Sequence, residues 1–177
     1  MIAIFSDTHS SHGHELRGAA LRAAQEAAAV VHAGDFTSEA ALEAFQAETA
    51  ALYAVSGNAD DAAVTTRLPT ERTIEVLGIT LAVRHRPRGG EAGLALFGRE
   101  REAQLVVFGH THRPTVVDCE DVVLCNPGSH AQPRGNRPGF AVLERDGETV
   151  RGTIREPDGT TIERFALETT DGDHGSR

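Results

Sequence analysis

Leu105-Val106-Val107-Phe108-Gly109-His110-Thr111-His112 is the stretch on which the reading of this chain turns. Its first four residues form a short apolar run with the length and β-branched content of a buried strand. If the backbone stays extended through 112, side chains two apart leave on the same face and both imidazoles point together. Neutral imidazole is the commonest transition-metal ligand, and two on one face seed a metal site. Alone, such a pair is a weak signal, because most are surface histidines. Its weight comes from three other strand ends that offer matching ligands.

Toward the N-terminus, Ile2-Ala3-Ile4-Phe5 is a second apolar run, and it ends in Ser6-Asp7-Thr8-His9. The Ala-rich segment from Glu15 to Ala29, with Leu16 and Leu21, predicts a helix. Val30-Val31-His32-Ala33 makes a short strand that breaks at Gly34-Asp35, and Ser38 suits an N-cap for a helix running to about Glu48. Ala51 to Val55 gives a third strand, stopping at Gly57-Asn58. This order of strands and helices implies right-handed crossovers and a parallel sheet. Ligands of such sheets gather beyond the carboxyl ends of the strands, where Asp7, His9, Asp35 and Asn58 fall.

After Leu68-Pro69 the pattern changes. Thr73 to Leu77 and Ile79 to Val83 alternate around Gly78 as a hairpin whose second arm ends at His85. Glu91 to Glu102 reads as a helix leading to the strand before His110. From Thr115 onward the sequence predicts meandering strands over 115–118, 122–124, 139–144, 149–155 and 161–167, with turns at Asp146-Gly147 and Asp158-Gly159. The polar, Gly/Asp-rich stretch 168–177 predicts a disordered tail, leaving 1–167 as one domain.

At 177 residues the chain is long enough for one domain with a full core. A net charge of −9 and a pI near 5.4 argue against a general binder of nucleic acid or anionic membrane. All 17 basic residues are arginine. Cys119 and Cys125 are too few for a disulfide framework or a structural zinc site, and read as reduced strand residues. No apolar run approaches membrane-spanning length, and Met1 leads straight into a strand, so a cytoplasmic protein is expected.

Asp7, His9, Asp35, Asn58, His85, His110 and His112 combine oxygen donors with imidazole, which suits manganese, iron, zinc, cobalt or nickel better than magnesium. Seven donors are too many for one tetrahedral ion and fit two ions sharing a carboxylate. Two ions about 3.5–4 Å apart suit displacement at phosphorus. Taken singly, each block has a plainer role: Asp7 as a helix cap, Asp35 and Asn58 as turn residues beside glycine. Their joint occurrence at strand ends favours the metal.

Ser6-Asp7-Thr8-His9, Gly34-Asp35, Gly57-Asn58, Gly109-His110-Thr111-His112 and Asn126-Pro127-Gly128-Ser129, in this order, resemble the calcineurin-like metallophosphoesterases, and within them the small YfcE-like phosphodiesterase branch. The resemblance implies an α/β fold, a four-layer αββα sandwich with a dinuclear metal centre on its rim. It implies that Asp7, His9 and His112 hold one ion, that Asn58, His85 and His110 hold the other, and that Asp35 bridges them. Manganese is the expected metal, with nickel, iron, zinc or cobalt as alternatives. Asp35 and His110 are assigned to the reaction itself, and Asn58 and Arg134 to the substrate phosphate; Arg86 and Arg88 are looser candidates. His12, His14 and His32 read as solvent or structural histidines, and His130 as a surface residue.

Two positions depart from the family. Ala59 stands where the wider superfamily places a proton-donating histidine, leaving Asp60 as the nearest acid. His85-Arg86-Pro87 replaces the usual His-Gly-His. The implied activity is hydrolysis of a small, nucleotide-like phosphodiester by a metal-bridging hydroxide, with no membrane or stable nucleic-acid partner and with a homo-oligomer open. The alternatives are a phosphomonoesterase or nucleotidase using the same metals, and a non-catalytic interaction scaffold like the related retromer subunit.

Overall fold

The computed structural model describes residues 1–170. β1 (Ile2–Phe5) is buried along its whole length because both faces are covered: Ile2 and Ile4 enter one apolar cluster, Ala3 and Phe5 another. It is followed by α1 (Gly18–Glu26), β2 (Ala29–His32), α2 (Glu39–Glu48), β3 (Leu52–Ala54) and α3 (Ala62–Arg67). Then come β4 (Glu71–Val76), β5 (Ile79–Arg84), α4 (Gly90–Arg99), β6 (Leu105–Val107), β7 (Thr115–Asp118) and β8 (Val123–Asn126). β9 (Phe140–Asp146), β10 (Thr149–Arg155) and β11 (Thr161–Glu168) complete the described chain.

One sheet has the order β11-β10-β9-β1-β2-β3 and the other β4-β5-β6-β8-β7. Ile4, Val31, Leu81, Val107, Cys125 and Leu143 fill the space between them. Alternate residues of the same strands face outward: Phe5 and Val30 pack with Ala20, Leu42, Phe45 and Val64, while Val106 and Ala82 pack with Leu94 and Phe97. The layers are therefore helices α1–α3, two sheets and helix α4, a four-layer αββα sandwich. The carboxyl ends of β1, β2, β3, β5 and β6 open on one rim.

Several boundaries differ from the sequence expectation. The first helix starts at Gly18, not Glu15, because Glu15 and Gly18 have φ of 55° and 54°, and the Ala19 amide is turned onto the Pro157 carbonyl at 2.7 Å. Ala29 belongs to β2. The short α3 has no counterpart in the sequence reading, although Asp61 caps it by accepting from the Val64 amide at 3.0 Å. The C-terminal strands do not form one meander: β8 lies parallel to β6, and the chain then crosses to the other sheet, where β9 pairs with β1. The tail boundary also moves. β11 includes Glu168, and the Thr169 and Thr170 amides donate to the carbonyls of Glu148 and Gly78. Residues 171–177 lie outside the described residues. Cys125 lies in β8 and Cys119 just beyond β7.

Candidate metal centre

The ladder joining β6 to its neighbours ends at Val107. Beyond it the backbone does not stay extended. His110 and His112 have φ of 71° and 57°, in the left-handed region, and the same holds for Asp7 (55°), His9 (45°) and Asp35 (61°). Non-glycine residues are uncommon there, and each such conformation costs on the order of 1–3 kcal/mol unless its surroundings enforce it. The turns send His110 and His112 to different partners. The ligand atoms of Asp7, His9 and His112 lie within 4.8 Å of one another, and so do those of Asp35, His85 and His110. The expectation of two imidazoles paired on one strand face is thereby corrected.

Asp35 stands between the two groups. Its Oδ2 is 3.1 Å from His85 Nε2 and 3.2 Å from His9 Nε2, while its Oδ1 accepts the Ala59 amide at 2.7 Å. Asp7 Oδ1 is 3.3 Å from His112 Nε2 and 3.8 Å from His9 Nε2. Its other carboxylate contacts are the Ser6 hydroxyl, which donates at 2.7 Å, and the His110 amide, which donates at 3.0 Å. Two close approaches explain the glycines in these motifs. A Cβ on Gly57 would lie 2.1 Å from Asp35 Oδ1, and one on Gly109 would lie 2.0 Å from Ser6 Oγ.

The outer ring nitrogens are committed to the fold. His85 Nδ1 donates to the Ala33 carbonyl at 2.8 Å, His112 Nδ1 donates to the Gln132 carbonyl, and His9 Nδ1 lies 3.3 Å from Thr37 Oγ1. That leaves Nε2 of each ring directed at a carboxylate, and these buried atoms make no hydrogen bond. A nitrogen lone pair facing carboxylate oxygen at such distances requires positive charge between them. Either a proton or a metal ion supplies it, and a metal-ligating histidine characteristically anchors its far nitrogen this way. The residues present therefore fit divalent cations.

The electrostatics agree. The adjoining carboxylates of Asp35 and Asp7 raise His9 to about 9, against the opposing effects of burial and Arg134. Burial depresses His85, but the adjoining Asp35 carboxylate outweighs it and holds His85 above its ordinary value. Burial pushes Asp35 upward, yet His85 and His9 together hold it well below the usual carboxylate range. Burial, His85 and Arg86 lower His110, and burial lowers His112, so both favour the neutral form that ligates. Cations bound here would displace protons from His9 and His85.

Asn126-Pro127-Gly128-Ser129 braces the ligand turns. Asn126 Nδ2 donates to the Gly109 carbonyl at 3.0 Å and to Thr111 Oγ1 at 2.9 Å. The Ser129 hydroxyl donates to the Asp7 carbonyl at 2.7 Å and accepts the Gln132 amide at 2.8 Å, joining the loop that carries Asp7 to the segment whose Gln132 carbonyl holds the His112 ring. The sequence marks this block without revealing that role. Asp60 is a second brace: its carboxylate accepts the amides of Gly57 and Thr37 at 2.7 Å and of Asp35 at 3.2 Å. It is thus tied to three backbone amides, which removes it as a free proton donor, although burial raises its pKa.

The remaining candidates spread around the rim. Asn58 is exposed, and its Oδ1 accepts from Arg86 Nε at 3.0 Å. Arg134 is exposed with φ of 49°, and its charge reaches His9 and His112. His85 keeps its place despite Arg86-Pro87. His12 is exposed, whereas His32 is buried against Phe36 with ring centroids 3.7 Å apart. The surface reading of His130 is overturned: it is buried, packed edge-on to Phe5 and Phe45, and donates from Nε2 to the His14 carbonyl at 2.8 Å.

A probable metallophosphoesterase of Methanothermobacter thermautotrophicus is 34% identical over 158 residues, covering 87% of this chain and 91% of the relative. Vacuolar protein sorting 29 of Cryptosporidium parvum superposes with a TM-score of 0.79 at 19% identity, over 95% of this chain and 97% of that one. A structure described as a novel archaeal phosphodiesterase gives a TM-score of 0.66 at 22% identity, over 86% and 98%. Among the described residues, no helix is long and apolar enough to cross a membrane. The family description "Calcineurin-like phosphoesterase superfamily domain" matches residues 1–148, and with the ligand-bearing strand ends of the sandwich, the chain belongs to that superfamily.

Proposed function

We propose that this chain is a metal-dependent phosphodiesterase that hydrolyses small phosphodiesters at a dinuclear centre, with manganese as the favoured ion. The observation that carries this reading is the set of three buried Nε2 atoms, on His9, His85 and His112, that face Asp7 and Asp35 without a hydrogen bond. Divalent ions held there would activate a water and neutralise phosphoryl charge. The chain's own residues do the positioning. Asp35 faces both groups, the exposed His110 completes the group of Asp35 and His85, and Asn58, Arg86 and Arg134 offer hydrogen bonds at the rim.

A diester over a monoester is favoured by the clefts on either side. One of about 440 Å³ runs from His9 past Ser10, His12 and Gln132, and one of about 350 Å³ runs from Asn58 and His85 past Arg86. A diester has two substituents to place, and volumes of this order accommodate small ligands. The archaeal phosphodiesterase of the same fold supports the same substrate class. Among the described residues no second carboxylic acid stands free beside Asp35 to protonate a leaving group, Asp60 being bound to backbone amides, so good leaving groups should react best.

The test is metal analysis of purified protein together with hydrolysis of bis(4-nitrophenyl) phosphate and 4-nitrophenyl phosphate, before and after chelation and manganese add-back. Diesterase activity that vanishes on chelation and returns with manganese is expected. Faster hydrolysis of the monoester would establish the phosphomonoesterase instead. Full metal occupancy with neither activity would favour the non-catalytic interaction scaffold.

A further inference from the structure

We propose that the cleft beside Asn58 is a subsite for a second phosphate group, so that the substrate is a phosphodiester carrying an additional phosphate on the arm that lies there. The inference rests on the phosphodiesterase reading and narrows its substrate class. Thr65, Thr70, Arg84, Arg86 and Arg88 line this cleft along with Asn58.

The three arginines are not equivalent. Arg84 is already neutralised, 3.1 Å from Glu71 Oε1, with its guanidinium 4.6 Å from the Phe97 ring centroid. Arg86 is held by a neutral group: its Nε donates to Asn58 Oδ1 at 3.0 Å, which fixes the guanidinium where the candidate centre meets the cleft. Arg88 is exposed, and among the described residues its side chain makes no hydrogen bond or ion pair. The Arg88 amide donates to the Arg86 carbonyl at 2.9 Å, so Pro87 lies in a tight turn that presents both arginines to one cleft.

Two guanidinium groups without carboxylate partners, in a chain of net charge −9, make a local cationic patch in a repelling surround. A simple diester brings one negative charge, and that charge belongs at the metal groups. The additional cations call for an additional anion. Arginine's planar fork matches phosphate oxygens in bidentate fashion, and the Thr70 hydroxyl of the same cleft adds a donor, whereas that of Thr65 already donates to the Asp61 carbonyl at 3.0 Å. On the opposite side, the only guanidinium lining the cleft past His9 is that of Arg17, which lies 3.7 Å from Glu15, so that lining holds no guanidinium without a carboxylate partner.

The experiment compares kcat/KM for thymidine 5′-(4-nitrophenyl phosphate) with and without a 3′-phosphate, using the manganese-loaded full chain. The wild type should prefer the 3′-phosphorylated probe by about 10-fold or more, the scale of a charge-assisted hydrogen bond. In R86A/R88A the ratio should collapse toward unity. An absent preference in the wild type, or one that survives in the double variant, would overturn the proposal. A second readout needs no turnover: calorimetric binding of thymidine 3′,5′-bisphosphate to the chain without added metal should weaken about 10-fold or more in the double variant. If that loss is seen while neither diester is hydrolysed, the subsite stands and the phosphodiesterase reading falls. Equal binding by both proteins, or inorganic phosphate binding as tightly as the bisphosphate, would refute a subsite for a substrate arm.

Discussion

Acidification from pH 7 to pH 4 should cost this fold about 3 kcal/mol through His130 alone, at about 1.4 kcal/mol per pH unit. His130 is buried between Phe5 and Phe45, and burial pushes it from 6.5 down to about 4. The folded value is depressed, so the stability tied to the neutral ring is fully present above 6.5. It drains away as the pH falls through the folded value, because the unfolded chain takes the proton first. Domains of this size are stable by only about 5–15 kcal/mol, so the loss is a large share. His32, held well below its ordinary value chiefly by burial, adds to the same acid limb. Asp35 does not contribute in this window, since its carboxylate is held below the usual range and yields only at lower pH. On the alkaline side, the pairing that raises His9 to about 9 is lost as the pH climbs through that value. The assay is urea denaturation at a series of pH values on the wild type and on His130→Gln. The variant is less stable at pH 7 but should show a shallower fall between 6.5 and 4, with the alkaline limb unchanged. Equal losses in both proteins across that window would refute the assignment of the acid limb to His130.

Three further outcomes bear on the centre. Asp35→Asn removes the charge that faces both His9 and His85, and should lower bound metal measured by elemental analysis and reduce diesterase turnover by a hundredfold or more, on the order of a lost electrostatic stabiliser. Gly57→Ala forces a Cβ to 2.4 Å from the Asp35 amide nitrogen, which should cost about 1–3 kcal/mol in denaturant melts and weaken metal binding with it. With alanine at 59 and the Asp60 carboxylate bound to backbone amides, rates across aryl and alkyl diesters should fall steeply as leaving-group pKa rises, since a general acid contributes about 10²–10⁴-fold; a flat plot under chemistry-limited conditions would show that another group delivers the proton.

The layers were legible because strands covered on both sides read as unbroken apolar runs: Ile2–Phe5 and Leu105–Val107 needed no alternation to be found. Ser38 announced α2 correctly, and its hydroxyl accepts the Ala41 amide at 3.2 Å. α3 escaped because six residues give too few turns for a periodic signal, even with Asp61 in place. The crossing between β8 and β9 escaped because it depends on which sheet a strand joins, a tertiary choice that short strands do not encode locally. At the rim, residue types at strand ends pointed to the candidate donors, and the fold gathers Asp7, His9 and His112 into one group and Asp35, His85 and His110 into another. What spacing could not reveal was that the chain leaves each strand through left-handed backbone, so that His110 and His112, neighbours in sequence, serve opposite groups. His130 misled for a related reason: a polar residue beside a turn looks superficial until Phe5 and Phe45 close over it.

Those left-handed turns also bear on transplanting the site. Copying Asp7, His9, Asp35, Asn58, His85, His110 and His112 onto another α/β scaffold would move the donors without the bends that aim them. Ordinary strand-to-helix loops would relax such residues into right-handed or extended backbone, and the imidazoles would splay. A working graft would have to carry Asn126, Ser129 and Asp60 as well, none of which ranks among the donors. Their hydrogen bonds to the Gly109 carbonyl, the Asp7 carbonyl and the Asp35 amide brace the turns in which His110, Asp7 and Asp35 take left-handed torsions. The smallest portable unit is therefore the whole rim of loops, and a designer who counts only ligands would build a surface that binds metal loosely and without order.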